Sequence, residues 1–114
     1  MPRFNRCTKG PVCYFIGMGQ FQIRLTPLAA GAIKWVEAND ATRYNRISKA
    51  LRQIEADPSY KGLRTHPFKG WKTPDGTQVF QSYVDQSKGA WRIWWYYGKE
   101  RHLIIVLDVG PHPD

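Results

Sequence analysis

The run Leu103-Ile104-Ile105-Val106-Leu107 constrains the fold more than any other part of the chain. Five consecutive apolar residues do not suit a half-exposed strand, whose apolar positions alternate, and five are too few for a buried helix. They predict a central strand covered on both faces, and therefore a sheet with a neighbour on each side. Candidate neighbours precede it. Trp91-Arg92-Ile93-Trp94-Trp95-Tyr96-Tyr97 is dense in the aromatic residues that favour strands. The expected strands are 77–84, 90–97 and 102–109, and the turns at 85–89 and 98–101 are short enough for hairpins.

The first half reads differently. Phe21-Gln22-Ile23-Arg24-Leu25 alternates as a strand does, and Thr26-Pro27 then supplies an N-cap and a first helical residue. Leu28, Ala32, Trp35 and Val36 form an apolar stripe along a helix ending near Asn39. Asp40 caps a second helix, in which Tyr44, Ile47, Leu51 and Ile54 keep helical spacing while Arg43, Arg46, Lys49 and Arg52 stay largely off that stripe. The helix stops at Asp57-Pro58, because a proline ring disfavours helix at the residue before it. Residues 60–76, punctuated by Gly62, Pro67, Gly70, Pro74 and Gly76, read as a loop. Residues 1–19 read as a flexible N-terminal extension without periodicity, in which Met18 offers an alternative start. The remainder, 20–114, is one α+β domain: an N-terminal strand, a helical hairpin and a three-stranded antiparallel meander, with the helices on one face of a small twisted sheet.

Charge points to the partner. Seventeen Lys and Arg against nine Asp and Glu leave a net charge of +8 and a pI near 9.8, which favours a polyanion, either a nucleic acid or an anionic membrane surface, with RNA the expected partner. Aromatic residues reach 14%, enough for the core and for stacking on bases. No apolar run is long enough to span a bilayer, and residues 12–16 are too short for a signal peptide, so a cytoplasmic protein with no membrane partner is expected. Cys7 and Cys13 fit no zinc or redox spacing and are expected as free thiols. No metal or other cofactor site is legible.

Three residues stand out as chemistry. His66 lies in the basic segment Arg64-Thr65-His66-Pro67-Phe68-Lys69-Gly70, and His112 follows the apolar strand. Together they could supply the base and the acid that RNA cleavage needs near neutral pH. Arg92 interrupts an aromatic strand, where its guanidinium suits a two-bond grip on phosphate. His102 reads as an exposed turn residue. Lys61, Arg64, Lys69, Lys72, Arg43 and Arg46 are the candidate RNA-binding cations, and Trp91 a candidate stacking ring.

From Phe21 to Asp114 the chain resembles the RelE/ParE superfamily of bacterial toxins, the toxic halves of type II toxin–antitoxin pairs. The resemblance rests on the opening strand and helical hairpin, on Ile54-Glu55-Ala56-Asp57-Pro58, and on His66-Pro67-Phe68-Lys69-Gly70. It rests also on Trp91-Arg92-Ile93 and Asp108-Val109-Gly110-Pro111-His112. The loop histidine and the closing glycine–x–histidine look most like the YafQ-type branch. The resemblance implies a metal-independent, ribosome-dependent endoribonuclease that cleaves mRNA and is held in check by a cognate antitoxin. It implies acid–base roles for His66 and His112 and phosphate binding by Arg92. Gln81 and Tyr83 stand where RelE carries lysines, and the chain stops at Asp114 where relatives usually continue to an aromatic residue. Two other readings share the fold: a ParE-like toxin that binds DNA gyrase and cuts nothing, and an inactive RNA-binding module.

Overall fold

The computed structural model describes residues 20–85 and 90–111, together with the backbone of 13–15. In chain order the elements are β1 (Cys13–Phe15), β2 (Gln22–Leu25), α1 (Pro27–Asn39), α2 (Ala41–Ala56), β3 (His66–Lys72), β4 (Gln78–Tyr83), β5 (Trp91–Tyr97) and β6 (Leu103–Pro111). They form one sheet of order β1-β2-β6-β5-β4-β3. β2 runs parallel to β6, and every other pair is antiparallel.

The sheet differs from the sequence reading at both edges. The meander has four strands, because residues 66–72 of the expected loop form the edge strand β3. Pro67 and Gly70 hide the strand period there. Both are tolerated because an edge strand can spare a ladder hydrogen bond and the register breaks between Pro67 and Lys72. At the opposite edge, Cys13–Phe15 of the expected flexible extension pairs with β2, so the sheet begins inside that segment. Aromatic and apolar residues with strand preference outweigh the glycines and prolines around them. Cys7 and the rest of residues 1–12 lie outside the described residues, as do 16–19.

The helices follow their caps. Thr26 accepts the Ala29 N–H and Asp40 the Arg43 N–H, and Asp57 ends α2. α1 and α2 pack side by side on one face of the sheet, with α1 against β6. Ile47, Leu51 and Ile54 are fully buried there against Ile23, Ile93, Ile104 and Val106, each burial worth roughly 1.5–3 kcal/mol. α1 is rotated from the expected stripe: Ala29, Ile33 and Val36 face the core, while Leu28 and Trp35 are exposed. Both stripes have helical spacing, and anchorage of Thr26 to the sheet selects between them.

That anchor meets an irregularity. Trp95 pairs with Val106 but Trp94 pairs with Asp108, so Leu107 has no partner on β5 and forms a β-bulge. Thr26 Oγ1 donates to the Leu107 carbonyl at 2.7 Å, and Thr26 N–H donates to the Val106 carbonyl at 3.1 Å. One threonine thus caps α1 and satisfies the bulge. β6 is central, as its apolar run demands, but the helices cover one face only and leave Ile105 and Leu107 half-buried on the strand. Thr26→Val should lower stability by about 2–3 kcal/mol, from the lost cap and a stranded carbonyl. Urea unfolding measures this, and a loss below about 0.5 kcal/mol, the range of an ordinary surface substitution, would contradict it.

Candidate functional site

Strand alternation assigns the side chains to faces. The pairs Phe80↔Trp95, Ser82↔Ile93 and Ile93↔Val109 turn toward the helices. On the other, open face His66 pairs with Gln81, Gln81 with Trp94 and Trp94 with Asp108, a single row across four strands. The adjoining row on the same face is Tyr83, Arg92 and Gly110.

Hydrogen bonds fix the first row. The Trp94 indole N–H can only donate, and it reaches Gln81 Oε1 at 3.0 Å. The Gln81 amide nitrogen is then aimed at His66 Nε2, 3.3 Å away. On the far side of the ring, His66 Nδ1 lies 2.9 Å from the Arg64 carbonyl, which can only accept. The imidazole is therefore the Nδ1–H tautomer, with its lone pair at Nε2 under a long, weak bond from Gln81. Arg64 presents its carbonyl from a left-handed conformation, φ 49°, at the end of a short 3-10 turn. His66 itself is exposed, so a substrate can reach it. A matching relay on the helix face runs from the Trp95 indole to Ser82 Oγ at 2.8 Å, and Ser82 shares a 2.6 Å hydrogen bond with Thr65.

Tyr83 joins the two rows. The Arg92 guanidinium lies over the Tyr83 ring at 3.7 Å, and the His66 ring meets the same tyrosine edge-on at 6.0 Å. Arg92 Nη1 donates to the Trp91 carbonyl at 3.3 Å. Its Nε is buried with no hydrogen-bond partner among the described residues, an unmet donor that costs about 1–3 kcal/mol and that the contact with Tyr83 helps to offset. The arginine is thus held flat on the open face, against the same tyrosine that the histidine meets.

Asp108 closes the first row. Its carboxylate accepts the Val109 N–H at 2.8 Å, and among the described residues no cation pairs with it. Burial pushes the carboxyl above its ordinary value, against the smaller opposing effect of that hydrogen bond. It lines a hollow of about 230 Å³ with Phe68, Trp71 and Trp94.

The other nominated residues distribute as follows. Lys61 and Arg64 share a cleft of about 340 Å³ with His66. Arg46 lines another with Lys49 and Tyr83, about 360 Å³. Lys69 and Lys72 are exposed on β3. Trp91 is not with Arg92: adjacent strand residues point to opposite faces, and Trp91 packs against the core beneath Arg43, whose guanidinium is 4.9 Å from the ring. Arg43 is also paired with Asp40 at 3.1 Å. His102 is exposed at its turn. His112 lies outside the described residues. Among the described residues, no three His, Cys, Asp or Glu side chains gather as metal ligands, and no helix is long and apolar enough to cross a membrane.

No model of a known protein family matches the sequence, and no curated protein matches it. Solved structures do match. A YoeB/ParE toxin from Agrobacterium tumefaciens superposes with a TM-score of 0.64 at 14% identity, covering 84% of this chain and 100% of that one. The YoeB dimer from Staphylococcus aureus gives 0.59 at 14% identity, with 83% and 100% covered. The chain therefore shares the fold of these two toxin structures.

A carboxyl whose folded pKa lies above its unfolded value holds more protons folded than unfolded. Asp108 therefore lowers stability most at pH values above its folded pKa, and the penalty fades as pH falls through that pKa and is gone below the ordinary value of 3.8. Asp108→Asn should be more stable than the parent chain at pH 7, with the gap narrowing toward pH 4. Urea midpoints at the two pH values measure this, and a parent chain that is the more stable at pH 7 would contradict it.

Proposed function

We propose that this chain is the toxin of a type II toxin–antitoxin pair and cleaves mRNA on the ribosome, in the cytoplasm, until a cognate antitoxin covers it. The observation that carries the reading is the placing of His66, Gln81, Tyr83 and Arg92 on the open face, with the histidine lone pair presented at Nε2 and a guanidinium laid on the tyrosine ring that the histidine also meets. The fold supports the toxin class. The site supports the chemistry.

In the proposed reaction a ribose 2′-hydroxyl displaces the Gln81 amide from His66 Nε2 and gives its proton to that nitrogen. The 2′-oxygen attacks the adjacent phosphorus, and the bond from phosphorus to the 5′-oxygen breaks. His112 gives the leaving oxygen its proton, so the products are a 2′,3′-cyclic phosphate and a 5′-hydroxyl. Arg92 stabilises the charge that gathers on the phosphoryl oxygens, held in place by Tyr83 before the substrate arrives. Lys61 and Arg64 beside His66, Arg46 beside Tyr83, and exposed Lys69 and Lys72 hold the RNA and the ribosome through phosphate contacts. Arg43 and Trp91, committed to each other on the helix side, support the fold more than they meet RNA.

His66→Ala and Arg92→Ala are each expected to slow single-turnover cleavage of ribosome-bound message by about 10²-fold or more, the scale of a lost general base or a lost charge on the transition state. Ribosome binding, spread over many cations, should persist. If both variants cleave at the parent rate, the proposed catalysis is wrong. If the parent instead damages DNA and leaves messages intact, a gyrase-binding toxin takes its place.

A further inference from the structure

The hollow at Asp108 is unused by the proposed cleavage chemistry. Phe68 and Trp71 of β3 approach the Trp94 ring at 6.0 and 6.5 Å, tilted by 57° and 46°, so they stand as walls rather than lying flat against it. Pro111 completes the rim, and Gly110 keeps the floor open: a Cβ there would meet only Trp94, at 3.9 Å. At about 230 Å³ the space falls below the roughly 300–1,000 Å³ of sites for drug-sized ligands and suits one planar ring system. Among the described residues, the single charged group lining it is Asp108, whose Oδ1 takes the Val109 N–H.

We propose that this hollow binds one guanine base of the RNA, stacked on its aromatic walls and held at the Watson–Crick edge by the Asp108 carboxylate. Stacking alone accepts any base. The carboxylate discriminates, because it offers two acceptor oxygens side by side. Guanine alone presents two adjacent donors, N1–H and the 2-amino group. Adenine and cytosine pair a donor with an acceptor, and uracil flanks its one N–H with carbonyls. A partly desolvated carboxylate with no cation beside it among the described residues gains most from such donors. Position agrees as well. Trp94 lies two residues from Arg92 on the same face, about 7 Å along the strand. A nucleotide whose phosphate meets Arg92 can therefore place its base here. The proposal rests on the reading of this face as an RNA site and adds the base that it selects.

The test titrates the isotope-labelled full chain with guanosine, adenosine, cytidine and uridine 5′-monophosphates, following the Trp71 and Trp94 indole N–H signals. Guanosine monophosphate should bind at least fivefold more tightly than the other three, since a bidentate base contact discriminates by roughly 5- to 150-fold. Asp108→Asn should abolish that preference and favour xanthosine monophosphate, whose 2-carbonyl accepts from the new amide. Gly110→Leu should fill the hollow and weaken all of the nucleotides. Equal binding of the four, or a guanine preference that survives Asp108→Asn, overturns the proposal. RNA cleavage without guanine selectivity here would sink the subsite alone. Guanine selectivity in a chain that cuts no RNA would sink the nuclease reading alone.

Discussion

Leu107 is one residue too many for the ladder between β5 and β6, and Thr26 makes the surplus tolerable. Without the bulge, the register set at Trp95↔Val106 would place Asp108 opposite Ile93, driving a carboxyl toward the helices. With it, Val109 joins the core while Asp108 and Gly110 turn to the open face beside Trp94 and Arg92. The Leu107 carbonyl has no strand partner on β5 at that point, and the Thr26 hydroxyl supplies the missing donor. The same hydroxyl accepts the Ala29 N–H and so starts α1. Helix position, bulge and site are therefore coupled through one side chain, and the exposure of Leu28 and Trp35 follows from the same anchorage.

Two uncharged residues of β4, Gln81 and Tyr83, organise the open face. Gln81 is buried at 2% exposure, and its amide has a donor on one side and a ring nitrogen on the other, which fixes both its own orientation and the histidine tautomer. Tyr83 serves Arg92 and His66 together. A neutral amide and an aromatic ring thus hold the histidine and the arginine in place without adding charge to the face.

The elements set by local chemistry were legible in the sequence. Thr26-Pro27, Asp40 and Asp57-Pro58 marked the helix ends because caps act within a few residues. Arg92 was legible as a lone charge in an aromatic strand. What depends on a partner strand was not. β3 hid behind Pro67, Gly70 and its own register break, and with it went the aromatic walls Phe68 and Trp71. The bulge at Leu107 has no signature in β6 itself, since Leu103 to Leu107 is apolar throughout. Trp91 could have been assigned correctly: once Arg92 is turned to the open face, its neighbour must face the helices.

The chemistry proposed for His66 and Arg92 requires the 2′-hydroxyl of the RNA itself as nucleophile. The direct measurement uses a ribosome-bound message with a single 2′-deoxynucleotide at the cut position, compared with the all-ribose message. The all-ribose message should be cut to a 2′,3′-cyclic phosphate and a 5′-hydroxyl, and the deoxy message should remain whole at that position. Cleavage of the deoxy message, or products ending in a 5′-phosphate and a 3′-hydroxyl, would contradict it.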